Sequence, residues 1–274
     1  MNYMSPDNKW IGKPTIRPDG IEKVTGSAQY AADYTMPGMV WGKVLRSPHA
    51  HALIKKIDTS KAEALQGVLA VMTGADLPTL PLDVPLPTGP NDIRWISRGC
   101  MAQEKILYVG HPIAAVAATS QEIAIAALDL IEVDYEVLPH VIDVDEAVAP
   151  GAPILHDWIK TEGIEGPTNI SNIMTVKTGD VEKGFGEADL VVERDFKSAA
   201  VHQGYLEPQS CVVSYKPDSQ STIWSSSQGQ FMVRGLTATI TGMATGDIKA
   251  IPAEIGGGFG GKTVSYTHLT LPTM

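Results

Sequence analysis

A chain of 274 residues, 43% hydrophobic and only 19% charged, can bury one large core or two modest ones. Its formal charge of −10, with no clustering of Lys and Arg, excludes a nucleic-acid surface, because phosphate binding needs concentrated positive charge. No run of about eighteen apolar residues offers a membrane span, and the start "MNYMSPDNKWIGKP" lacks the basic and apolar regions of a signal peptide, so a cytoplasmic protein is expected.

Residues 1–18 read as an irregular lead-in, and a first domain is expected over 19–138. Within it "ALIKKID" predicts a strand, Ser60 with Glu63 a capping box for the short helix "KAEALQ", Gly67 its stop, and "VLAVMTG" the next strand. That is a compact βαβ piece. Between Asp76 and Glu104 repeated prolines forbid a helix and predict a long surface excursion. A second strand–helix–strand piece follows: "ILYVGHPIAAVAA", then Thr119 and Glu122 as a capping box before "QEIAIAALDLI", then "EVDYEVLP".

Residues 139–170, rich in Pro, Gly and acids, predict a connector and a domain boundary. A second domain, 171–263, is expected to contain the strands "LVVERDFKSA", "CVVSYK" and "STIWSSS", a helix near "QFMVRGLTATIT", and "DIKAIPAEI" leading into a glycine loop. Cys100 and Cys211 lack CxxC spacing, and His49 and His51, two apart, have no evident third ligand, so a protein-ligated metal is not implied.

The loop "GGGFGGKT" carries two phosphate-loop spellings, GxxxxGK[ST] and GxGxxG. A P-loop needs a following helix and a later acid for magnesium, yet "TVSYTHLTLPTM" is β-branched and contains Pro272; the Rossmann form needs an acid about twenty residues on. Phe259 points elsewhere. A bulky aromatic among five glycines can be aimed by a backbone of positive φ while amide groups approach a planar ligand, which suits a cofactor wall.

Several ordered motifs, from "IGKPTIRPDGIEKVTGSAQYAADYTMPG" and "LRSPHAHALIKKID" through "YVGHPIAAVAA", "YLEPQSCVV" and "WSSSQGQ" to "GGGFGGK", resemble the large, molybdopterin-binding subunit of the xanthine dehydrogenase, aldehyde oxidase and carbon monoxide dehydrogenase family. The resemblance implies an α/β fold of mixed α+β build. An α/β hammerhead domain would be followed by the start of the molybdenum-cofactor-binding domain. It implies a molybdenum–molybdopterin cofactor, as the pterin cytosine dinucleotide or a similar form, whose dithiolene holds the metal so that few protein ligands are needed. It also implies an oligomeric oxidoreductase that hydroxylates a carbon of an aldehyde, N-heterocycle or related small molecule with water. Electrons would pass to 2Fe-2S and FAD centres on partner subunits or domains.

By the same resemblance, Gln228 matches the family's glutamine near an oxygen ligand of molybdenum, and Phe259, 31 residues on, matches its loop aromatic. An amide side chain can hydrogen-bond such an oxygen without adding charge. Gly257, Gly258 and Gly260 would bring backbone amides beside the cofactor. Glu207 in "YLEPQ" matches a family motif, but a lone acid beside Pro208 fits capping or bracing of a strand, and His202 is similar. The family's substrate-contacting acid after the loop is replaced by Thr263, and its base glutamate is expected downstream of this chain, so the chain alone is expected to be inactive.

"VSYTHLTLPT" resembles the translated end of a transposon-derived sequencing adapter, so 264–274 is expected to be a non-native tail. Two rival functions stand beside the hydroxylase. One is a P-loop nucleotide-binding protein using Lys262; the other is a stand-alone hammerhead interaction module.

Overall fold

The computed structural model describes residues 11–78, 98–157, 161–171, 173–199 and 201–262. Part of the lead-in, most of the proline-rich excursion, Thr263 and the expected tail fall outside them.

The seven-residue strand β5, Pro112–Ala118, buries both faces, which explains its unbroken apolar run in place of an alternating one. It lies between β1 (Trp41–Arg46) and β3 (Val68–Thr73), antiparallel to both. Its proline opens the strand, where a missing N–H costs no interior ladder bond. A second sheet places β2 (Ala52–Asp58) between β4 (Lys105–Ile106) and β6 (Glu132–Val137), again antiparallel. Ala62, Ala114, Val116, Ala127 and Ile131 form one core cluster, and Ala52, Ala102, Ile106 and Ile113 form another.

The short helix Ser60–Glu63 thus joins β2 of one sheet to β3 of the other, and the helix Gln121–Leu128 joins β5 to β6 in the reverse direction. Neither piece is a βαβ unit of parallel neighbours, as the sequence had led us to expect for the first. Hydrophobic periodicity identifies which face of a strand is buried but not which strand it pairs with.

Both N-caps lie one residue away from the expected pattern, at Thr59 and Ser120, and neither forms a capping box. Glu63 accepts from the Thr59 hydroxyl at 2.5 Å while Ser60 turns to Asp58, and the cap of the second helix is Ser120, whose oxygen accepts from the Ile123 amide at 3.3 Å. The run "ILYVGHPIAAVAA" divides into β4 and β5 around a turn at Gly110, φ 85°. The excursion also returns to the interior: residues 98–100 are helical, and Cys100, Met101 and Ala102 are buried. Burial pushes the Cys100 thiol up to about 12, leaving it an inert core group.

His111 fastens that return. Its Nδ1 accepts from the Leu107 amide at 3.2 Å, so its other nitrogen, Nε2, carries the proton and donates to the Arg98 carbonyl at 2.7 Å. The ring stacks on Tyr108, whose hydroxyl donates to the Gly99 carbonyl at 2.7 Å. Full burial lowers the His111 pKa to about 4, with the Arg98 hydrogen bond opposing the shift. Above about pH 6.5 both folded and unfolded states hold it neutral. Between pH 6.5 and 4 the unfolded chain takes up the proton first, so stability falls as pH falls, by on the order of 3 kcal/mol in all. Urea titrations at pH 7 and pH 4.5 on wild type and His111→Gln check this: the variant should be the less stable at pH 7 and lose less on acidification.

A third sheet follows the connector, in which a short helix, Val144–Ala147, is capped by Asp143. β7 (Cys211–Ser214) runs antiparallel to β8 (Ser221–Ser225), and β9 (Ile248–Pro252) runs parallel to it. The helix Gln230–Thr241 is the crossover between β8 and β9 that parallel neighbours require, and Val233 and Ala238 pack on Ile223 and Ile248. The expected strand in "LVVERDFKSA" is absent among the described residues: 190–199 are exposed and lack strand pairing, with Phe196 93% accessible. β propensity alone cannot hold a strand whose backbone has no ladder partner.

Residues 20–34 pack on this third sheet. Lys23 pairs with Glu254, the Glu254 amide donates to the Gln29 carbonyl at 3.1 Å, and the Tyr34 ring lies 5.9 Å from that of Trp224.

Candidate functional site

At the end of β8 three buried serines, Ser225, Ser226 and Ser227, lead into the turn that carries Gln228. Gln230 secures the turn from the helix side, its Nε2 donating to the Ser225 and Ser227 carbonyls at 3.1 and 3.2 Å. Beyond β9 the glycine loop reaches the same place. The Lys262 carbonyl accepts from the Gln228 amide at 2.7 Å and from the Ser227 hydroxyl at 3.1 Å.

The Gln228 side chain then turns into the loop. Its Oε1 accepts from the amides of Gly260 and Lys262, at 3.1 and 3.3 Å. Because both partners are N–H donors, the atom facing them must be the carbonyl oxygen, and the NH2 group is left as an outward donor with no acceptor among the described residues. The Gly260 amide is therefore spent on Gln228 and does not face outward. The amides of Gly257 and Gly258 make no hydrogen bond among the described residues.

Phe259 adopts φ 47°, a left-handed conformation rare outside glycine, between Gly257 at 99° and Gly260 at 84°. The ring is 73% exposed, so the loop presents it outward. Strain of this kind, of order 1–3 kcal/mol, persists only where surrounding bonds fix the backbone, as the Gly261 amide to Gly258 carbonyl bond of 2.7 Å does here.

Beneath the loop lies the segment 203–207, turned at Gly204 (φ 65°), which brings the side chains of Gln203, Tyr205 and Glu207 against it. A Cβ on Gly261 would come within 2.9 Å of Gln203 and Tyr205, one on Gly257 within 3.0 Å of Tyr205, and one on Gly256 within 2.7 Å of Glu207. Glu207 Oε2 accepts from the Gly256 amide at 2.7 Å and from Lys262 Nζ at 2.6 Å. Lys262 is fully buried, with its ammonium 4.9 Å from the Tyr205 ring centre. Burial raises the Tyr205 phenol above its ordinary value, opposed by a 2.7 Å hydrogen bond from Gln209.

These contacts correct the phosphate-loop spelling. Lys262 faces Glu207 below the loop, where it is unavailable to a phosphate cradled above. Glu207 braces the loop and not, as the sequence implied, a strand. Tyr205 and Gln203 were missed as parts of the site, and Lys262 was read only as the lysine of a phosphate-loop spelling. His49 and His51 have separate partners: His51 bonds the Pro139 carbonyl at 2.7 Å while His49 meets the Tyr135 ring edge-on.

The donor set fits a group that brings oxygen acceptors of its own. Among the described residues the Gly257 and Gly258 amides and the Gln228 NH2 are left without acceptors, and no three His, Cys, Asp or Glu side chains gather to hold a bare ion.

Residues 25–139 match the family model described as the aldehyde oxidase and xanthine dehydrogenase a/b hammerhead domain, and residues 164–274 match the molybdopterin cofactor-binding domain. The chain belongs to the molybdopterin-binding subunits of the xanthine dehydrogenase, aldehyde oxidase and carbon monoxide dehydrogenase family. It is 38% identical to the carbon monoxide dehydrogenase large chain of Afipia carboxidovorans, over 94% of this chain and 32% of that one. It is 33% identical to the nicotinate dehydrogenase large molybdopterin subunit of Eubacterium barkeri, over 94% and 57%. The solved structure of reconstituted CO dehydrogenase from Oligotropha carboxidovorans superposes with a TM-score of 0.75 at 35% identity, covering 94% of this chain and 32% of that one. The chain thus spans about a third of the length of its first curated relative. The comparisons support neither a P-loop protein nor a stand-alone hammerhead module. No helix among the described residues is long and apolar enough to cross a membrane.

Proposed function

We propose that this chain forms one wall of a molybdopterin site in a molybdenum hydroxylase, and that Gln228, Gly257, Gly258 and Phe259 face the cofactor. The observation that carries this is the pinned carboxamide of Gln228, which leaves Nε2 as a fixed donor beside the loop. Gly260 serves the site indirectly, by holding Gln228. When bound, the cofactor supplies the two-electron redox chemistry by which a carbon of an aldehyde, N-heterocycle or related substrate is hydroxylated with water.

The chain's own residues bind and orient. Gln228 donates a neutral hydrogen bond, the Gly257 and Gly258 amides add two more donors, and Phe259 offers an apolar face. The base of the reaction and the substrate pocket belong to the longer length of the relatives. Electrons leave through iron–sulfur and FAD centres on partner subunits of an oligomeric, cytoplasmic enzyme. The two domains divide within the connector 139–170.

The test is cofactor retention. Produced from its full reading frame in a host that makes molybdopterin, the protein should carry molybdenum and pterin, measured by plasma mass spectrometry and pterin fluorescence. Gln228→Leu should weaken retention about tenfold, the worth of one donor to a charged acceptor. Wild-type protein free of both molybdenum and pterin would overturn the proposal.

A further inference from the structure

The underside of the glycine loop has an architecture of its own. A single oxygen, Glu207 Oε2, holds the amide of Gly256 at one end of the loop and the ammonium of Lys262 at the other. The second oxygen, Oε1, is buried and has no hydrogen-bond partner among the described residues, so the carboxylate's hold rests on one atom, beside a main-chain bond from the Glu207 amide to the Gly256 carbonyl at 3.3 Å. Lys262 is bound twice over. Its side chain goes to Glu207, while its amide and carbonyl go to the side chain and main chain of Gln228.

We propose that Glu207 is a positioning residue: with Lys262 it forms a clip that fixes the Gly256–Lys262 loop and, through the main chain of Lys262, the carboxamide of Gln228. Its relevance to the cofactor rests on the function proposed above; the clip itself does not.

The physical reason lies in burial. An ammonium with no accessible surface has lost its water and needs a charged partner, and Glu207 is the acid within reach. The Tyr205 ring face, 4.9 Å away, adds a weaker attraction. A Lys262 released from Glu207 would move toward water, taking its main chain from Gln228. The Gln228 oxygen would lose one of its two amides, and the Nε2 donor its fixed direction. The three residues form one contiguous chain of contacts, Glu207 to Lys262 to Gln228, each link a hydrogen bond.

Hydrogen exchange by mass spectrometry on the whole chain tests the clip. In Glu207→Gln the peptide over Gly256–Lys262 should exchange about tenfold faster or more, while β8 and the helix Gln230–Thr241 keep wild-type rates. Glu207→Asp restores the charge and should recover part of the protection. Lys262→Met should match Glu207→Gln, and the double variant should be no worse than the worse single, since both remove one unit. Unchanged loop exchange in Glu207→Gln overturns the clip, as does equal loosening of loop, strand and helix, which would mark a general brace of the fold. If Glu207→Gln does not fold, the double variant decides, because it buries no lone charge: loop exchange above wild type supports the clip and wild-type exchange overturns it. Molybdenum retention separates the two proposals. A loosened loop with undiminished retention overturns the positioning role, whereas wild-type protein free of molybdenum, with the exchange result intact, places the failure in the cofactor reading alone.

Discussion

A Gly74→Ala chain loses about 3 kcal/mol of stability, close to the upper range for overpacking a rigid site. The added Cβ would lie 2.3 Å from the Ala102 carbonyl oxygen and 2.9 Å from its carbon. Both are backbone atoms, and they cannot give way cheaply. Ala102 is wholly buried, and its amide donates to the Pro112 carbonyl of the central strand at 2.8 Å, so moving it drags the core sheet. Gly42→Ala in β1 is the control: no atom lies within 4 Å of its Cβ, and stability should change by less than about 0.5 kcal/mol. Urea midpoints at constant m-value measure both. A Gly74→Ala loss below that of Gly42→Ala would mean that the return of residues 98–104 to the interior is wrongly drawn.

Gly258→Ala acts differently, because the obstructing atoms are at the end of a side chain. The new methyl would lie 2.6 Å from both Cδ and Oε1 of Gln228. That side chain can swing away, at the cost of its two loop amides, or about 1–2 kcal/mol of stability. The larger effect falls on the site. Cofactor retention should drop well beyond the roughly tenfold expected for Gln228→Leu, since the donor moves and a methyl enters the wall at the same time. Gly258→Ala with wild-type molybdenum content would show that this face of the loop does not meet the cofactor.

The strand Ala52–Asp58 was legible to the residue and the helix Gln230–Thr241 in its place, because their signals are local. The assignment of β2 and β3 to different sheets was not legible, since it depends on contacts far along the chain. "LVVERDFKSA" failed for a related reason. It has strand propensity, but no described neighbour completes it. In the site, Phe259 could be singled out as a bulky ring among glycines, whereas Gln228 was singled out only by its match to the family motif. The role of Glu207 could not, because a carboxylate looks alike in sequence whether it meets water or a buried lysine 55 residues away.

The docking of residues 20–34 on the third sheet also has a temporal side. Lys23 and Glu254 are separated by 231 positions, so at ordinary synthesis rates roughly 10–50 s pass between the appearance of the two partners. During that interval Tyr30 and Tyr34 have no surface to occupy, while the two antiparallel sheets between them can already close. Maturation of the glycine loop, which follows closely on Glu254, is therefore tied to capture of residues 20–34 by a segment made 231 positions later.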